Sequence, residues 1–107
     1  MKAPSMSEQN MVVCLCVKLL GIFQHLSGKK SFKITLDEPA TVRDVVMKLT
    51  EAFSTDFKFA LVDSQLNELR PNAIILVEGK EISVLQGLET QVKDSEEIVL
   101  VPIVHGG

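Results

Sequence analysis

Tryptophan and tyrosine are absent, and five phenylalanines are the only aromatic side chains in the 107 residues. Proteins that bind single-stranded nucleic acid stack bases on aromatic platforms, and this chain has few to offer. Concentrated positive charge is missing as well. The formal net charge is −3, and Glu and Asp are interspersed with Lys nearly throughout, so no basic stripe exists to neutralise phosphates. No direct contact with nucleic acid is expected.

Metal ligands and nucleophiles are equally scarce. There are two histidines and two cysteines. His25 and His105 are far apart in sequence, and a single C-x-C does not complete a metal site. Cys14 and Cys16 lie on one face of an expected strand, where adjacent same-face residues are poorly placed for a disulfide; they read as small apolar residues. Two thiols without a disulfide framework fit a reducing, cytoplasmic setting. The segment Gly28-Lys29-Lys30-Ser31 fails the phosphate-loop pattern, because its Gly spacing is wrong and no Ser or Thr directly follows the first Lys. No nucleophile–base–acid set emerges, so neither a catalytic site nor a bound cofactor is expected. The apolar run from Met11 to Phe23 is broken by Lys18 and is too short to span a bilayer. It also lacks the basic flank and small-residue cleavage site of a signal peptide.

What remains is one domain's worth of chain with an ordinary apolar fraction of 46%. Residues 1–10 are polar and read as a disordered extension, residues 11–104 as the domain, and residues 105–107 as a flexible tail. Val13, Leu15, Val17 and Leu19 alternate with Cys14, Cys16 and Lys18 along a first strand. Lysine is almost never buried without a partner, so the Val13 set faces the core and Leu20 is left exposed. A loop to Lys30 leads to a second strand, Phe32 to Leu36. Thr41 and Asp44 form a capping-box variant. Val42, Val45, Val46, Leu49 and Phe53 then make one stripe of an amphipathic helix.

Phe57, Leu61, Val62, Leu66 and Leu69 suggest a short second helix and an extended return, closed by Pro71. Ala73 to Val77 reads as a strand, followed by a turn at Glu78-Gly79-Lys80-Glu81 and a short edge at Ile82-Ser83-Val84. Leu85, Leu88 and Val92 are expected to cover the core before a turn at Lys93-Asp94-Ser95-Glu96. Ile98 to Val101 is apolar on both faces, as a central strand should be. Pro102 has no N–H to donate, so regular pairing on that side should end there. Hairpin, helix, strand, short edge and central strand, in that order, make an α+β β-grasp (ubiquitin-like) fold: a mixed sheet of four to five strands packed on one main helix.

The last two residues are Gly106 and Gly107. With glycine near 7% of residues, such an ending arises by chance about once in 200 chains. Without Cβ atoms, a diglycine can thread a narrow channel and present its carboxylate to another protein. Adenylation would make that carboxyl an acyl group open to sulfide, a Cys thiolate or a lysine amine. His105 has no acidic or nucleophilic partner nearby in sequence and reads as a tail residue met by the partner's channel.

Leu69-Arg70-Pro71, Ile75 through Ile82, and Ile98 through the His105-Gly106-Gly107 ending resemble the MoaD/ThiS sulfur carriers. Within that group they look most like the ubiquitin-related modifier and its small archaeal relatives. The resemblance covers roughly residues 11–107 and is densest after Leu69. It implies a protein that is not itself an enzyme, activated with ATP by an E1-like adenylating enzyme and carrying a thiocarboxylate sulfur on Gly107. It implies that the sulfur passes to an acceptor enzyme, for tRNA thiolation or molybdopterin, or that the carboxyl is joined to target-protein lysines. It also implies an enzyme-facing patch that includes Leu20, Val101, Val104 and His105, although the sequence does not decide which face Val101 presents. Ser95 stands where such turns usually carry Gly, and Glu78 where Asn is common. Two rival readings are the small subunit of a molybdopterin synthase and a plain β-grasp binding module. Nothing demands more than a monomer.

Overall fold

The computed structural model describes residues 11–63, 68–69 and 73–103. In chain order these form β1 (Val12–Leu19), α1 (Gly21–Ser27), β2 (Ser31–Asp37), β3 (Ala40–Thr41) and α2 (Val42–Ala52). They continue through α3 (Thr55–Leu61), β4 (Val62–Asp63), β5 (Glu68–Leu69), β6 (Ala73–Val77) and β7 (Lys80–Glu81). Two 3-10 turns, Ile82–Val84 and Gly87–Glu89, lead to β8 (Gln91–Val92) and β9 (Glu97–Pro102). The extension 1–10, Leu66, Arg70 and Pro71 lie outside the described residues, as do Val104, His105, Gly106 and Gly107.

The main sheet has the order β2-β1-β9-β6-β7. Strand β1 runs antiparallel to β2 but parallel to β9, so the last strand is inserted at the centre beside the first. On the other side β9 pairs antiparallel with β6. This is the mixed five-stranded sheet of the ubiquitin-like β-grasp. Val13, Leu15, Val17 and Leu19 are all buried, while Val12, Cys14 and Lys18 are exposed and Cys16 half-buried. The face assigned from Lys18 is the one observed.

Helix α2 lies against the inner face of the sheet. Its Val42, Val45, Val46 and Leu49 are buried and Phe53 is half-buried, so the stripe read from spacing is the packed one. Each such side chain contributes about 1.5–3 kcal/mol when fully removed from water. The Asp44 carboxylate accepts from the Thr41 N–H at 2.9 Å and from its hydroxyl at 3.3 Å, closing the expected cap.

The segment from Gly21 to Ser27, expected as loop, is the helix α1, and it carries His25 exposed in its last turn. It has seven residues and buries only Phe23 fully, too little to leave a repeating stripe. An isolated helix this short is unstable in water; contact of the Phe23 ring with Phe57 of α3, centroids 5.7 Å apart, anchors it. The expected short helix is α3, with Phe57 and Leu61 buried, and its extended return is the antiparallel pair β4–β5.

Two further expectations are corrected. The edge strand is Lys80–Glu81, and Ile82-Ser83-Val84 is a 3-10 turn. The tight Glu78-Gly79 turn, with φ of 49° and 82°, pairs Val77 directly with Lys80 and so uses up the edge early. Leu85 is exposed rather than covering the core, a role left to buried Val92 and half-buried Leu88.

Candidate docking face and C-terminal exit

Strand β9 decides the geometry of the site. Ile98 and Leu100 are buried against the helices, which turns Val99 and Val101 to the opposite, outer face. Directly across the ladder, Leu76 pairs with Val99 and Ile74 with Val101, and all four are half-buried. Opposed residues on neighbouring strands share a face, so these side chains form a continuous apolar strip along the outer sheet. The face of Val101, left open by the sequence, is outward.

Leu20 joins this strip at its end. It follows the last paired residue of β1, is 42% exposed, and donates its N–H to the Leu100 carbonyl at 3.2 Å. Leu20 and Val101 are thus brought to the same end of the sheet, where β9 finishes. Ile74, Leu76 and Val99 were not singled out from the sequence. In strands that are apolar on both faces, period-two alternation carries no signal.

The opposite end of the strip is charged. Lys18 Nζ lies 3.0 Å from Glu97 Oε2, with both side chains about half exposed. The hydrogen bond to Glu97, reinforced by the attraction of its carboxylate, raises the Lys18 pKa above its ordinary value. Glu97 also receives a reciprocal link from the turn: its N–H donates to the Glu78 carboxylate, and the Glu78 N–H donates to the Glu97 carbonyl. Charge therefore borders the apolar strip and gives it a polar rim.

At the exit, Pro102 pairs with Ala73 of β6 on one side. On the other side, the parallel register with β1 ends at Leu19 and Leu100. Pairing stops where the missing N–H of Pro102 requires. Cys14 and Cys16 are both free thiols on the outer face. Among the described residues, no three His, Cys, Asp or Glu side chains are grouped to hold a metal ion. Nor does any described helix have the length and hydropathy to cross a membrane.

A mixed five-stranded sheet packed on one main helix, its last strand inserted beside the first, defines the ubiquitin-like β-grasp class. The chain belongs to the ThiS family, whose model matches residues 17–107. It is 30% identical over 91 residues to small archaeal modifier protein 3 of Haloferax volcanii, spanning 85% of this chain and 96% of the relative. Among solved structures, it is similar to small archaeal modifier protein 1 of Methanosarcina acetivorans. That match has 30% identity and a TM-score of 0.76, and covers 91% of this chain and 99% of that one. Urm1 from Trypanosoma brucei shares the fold at 21% identity, with a TM-score of 0.72 over 90% of this chain and 97% of that one.

Proposed function

We propose that this protein is a carrier whose Gly107 carboxylate is activated by a separate E1-like adenylating enzyme. Attack of the carboxylate on ATP would form an acyl-adenylate and release pyrophosphate. Sulfide would then displace AMP to leave a thiocarboxylate, or a lysine amine would displace it to form an amide. The observation that carries this reading is the family match, which extends through residue 107, five residues beyond the end of the central strand at Pro102. The outer strip around Val101 and Leu20 supplies the docking face in this reading, with Val104 and His105 read by the partner's channel and Gly106 giving the clearance to enter it. The chain's own residues bind and present; ATP and the chemical step belong to the partner.

Incubating the protein with a cognate activating enzyme, ATP and sulfide tests it directly. The expected product is about 16 Da heavier by intact mass, with sulfur in place of one carboxylate oxygen. Removing Gly107 should abolish that product while leaving the fold intact, because the buried core of the described residues ends at Leu100. An unmodified mass with a partner proven active on another carrier would overturn the reading. Unchanged biological activity after removal of both glycines would do the same.

A further inference from the structure

Among the described residues four glycines have positive φ, but only one of these is crowded. A Cβ added at Gly28, Gly79 or Gly87 would meet nothing within 4 Å. At Gly21, φ +54°, it would lie 2.6 Å from Pro102 Cγ and 3.4 Å from Pro102 Cδ. Three of these glycines serve only a backbone angle, whereas Gly21 also makes room for a particular side chain.

That side chain is the last residue of the central strand. Pro102 has no N–H, so it donates no ladder hydrogen bond to the β1 side. The Leu20 N–H already bonds the Leu100 carbonyl, and the next contact outward is the Pro102 ring against Gly21. With Ala73 paired on its other side, the strand end is held between β6 and the first turn of α1. Shape, in place of hydrogen bonding, fixes where residue 103 leaves the sheet.

We propose that Gly21 is a positioning residue for the C-terminal segment: its missing Cβ lets α1 close on Pro102, and this contact sets the direction in which the chain departs toward Gly107. The proposal rests on the carrier reading above. A tail delivered to a partner's active site benefits from a rigid root, because every freedom removed beforehand need not be lost on binding. Adding a methyl group at Gly21 forces the Pro102 ring or the helix to give way by most of an ångström. Misplacements of that size can cost about 100-fold in rate.

The test compares wild type with Gly21→Ala, Gly28→Ala, Pro102→Ala and the Gly21→Ala/Pro102→Ala double variant. Gly28→Ala imposes the same class of backbone strain, φ +74°, without a clash, so it isolates stability loss. The Cβ of Pro102 is 3.8 Å from the added methyl, an ordinary contact, so the double variant relieves the overlap. Carrier-dependent ATP–pyrophosphate exchange by the activating enzyme is expected to fall roughly 10- to 100-fold in kcat/KM for Gly21→Ala. It should hold for Gly28→Ala, and the double variant should recover to the level of Pro102→Ala alone.

Residual dipolar couplings of the Val101 and Ile103 amides, measured on the carrier alone, should change in Gly21→Ala and not in Gly28→Ala. This measurement separates the proposal from the carrier reading, because it needs no activating enzyme. Unchanged couplings in Gly21→Ala overturn the positioning role. So does a Gly21→Ala defect no larger than that of Gly28→Ala, or a double variant as slow as Gly21→Ala. Wild-type protein that supports no exchange overturns the carrier reading while the couplings still decide the geometry.

Discussion

The Lys18 ammonium and the Glu97 carboxylate meet 3.0 Å apart across the parallel pairing of the first and last strands. The pair joins strands that are nearly eighty positions apart in sequence and marks one boundary of the apolar strip.

Its pH dependence has a definite sign. The folded-state pKa of Lys18 is raised above the ordinary 10.5, chiefly by its hydrogen bond to Glu97. A raised lysine pKa contributes stability that is complete below the unfolded value and disappears as pH rises through the folded one. The Tm difference between wild type and Lys18→Met should therefore be constant through neutral pH and close above the raised value. Because the pair is exposed, the difference should be small and shrink further in high salt. A difference that grows with alkaline pH would contradict the assignment.

Ser95 occupies the left-handed region at φ 71°, which favours glycine. Its N–H donates to the Cys14 carbonyl at 2.8 Å, so the turn cannot relax without releasing β1. Ser95→Gly should stabilise the protein by about 0.5–1 kcal/mol, strain relief set against the entropy of glycine. That corresponds to a Tm rise of roughly 2–4 °C by thermal denaturation. Glu78→Gly relieves a similar strain at φ 49° but removes the carboxylate that accepts from Glu97, and should gain less.

Asp44 accepts from both the backbone and the hydroxyl of Thr41. Asp44→Ala should cost about 0.5–1.5 kcal/mol, because it removes the N3 half of the capping box and the acceptor of the Thr41 N–H. Asp44→Asn, which keeps an acceptor but loses the charge that favours a helix N-terminus, should cost less. Urea denaturation with an unchanged m-value would place both effects in the folded helix rather than the unfolded chain.

Val101→Asp and Leu20→Asp should each raise the KM of the activating enzyme for the carrier about 10- to 100-fold, the range of an interface hot spot. Met47 is 46% exposed on α2, which covers the opposite face of the sheet, so Met47→Asp should leave KM unchanged. Equal effects at all three positions would remove the outer strip from the docking role.

Much of this was legible in one dimension. Lys18 alone oriented β1, because a charge excluded from the core forces the alternate residues inward. The α2 stripe was readable because four buried positions repeat over about two turns, and Thr41 and Asp44 marked its start. Pro102 marked the end of the central strand through a donor it does not have.

Other features carried no local signal. Helix α1 is stabilised by Phe23 against Phe57, a contact between segments more than thirty residues apart, and its own seven residues have no repeating stripe to show. The face of Val101 was undecidable in a strand apolar on both sides, until pairing with Ile74 and burial of Leu100 settled it. The diglycine ending, the helix stripe and the succession of elements along the chain thus came from the sequence, because each depends on residue chemistry or short-range spacing. The outer strip and the packing of Gly21 on Pro102 were decided only by tertiary structure, because each brings together strand ends and turns that spacing along the chain cannot relate.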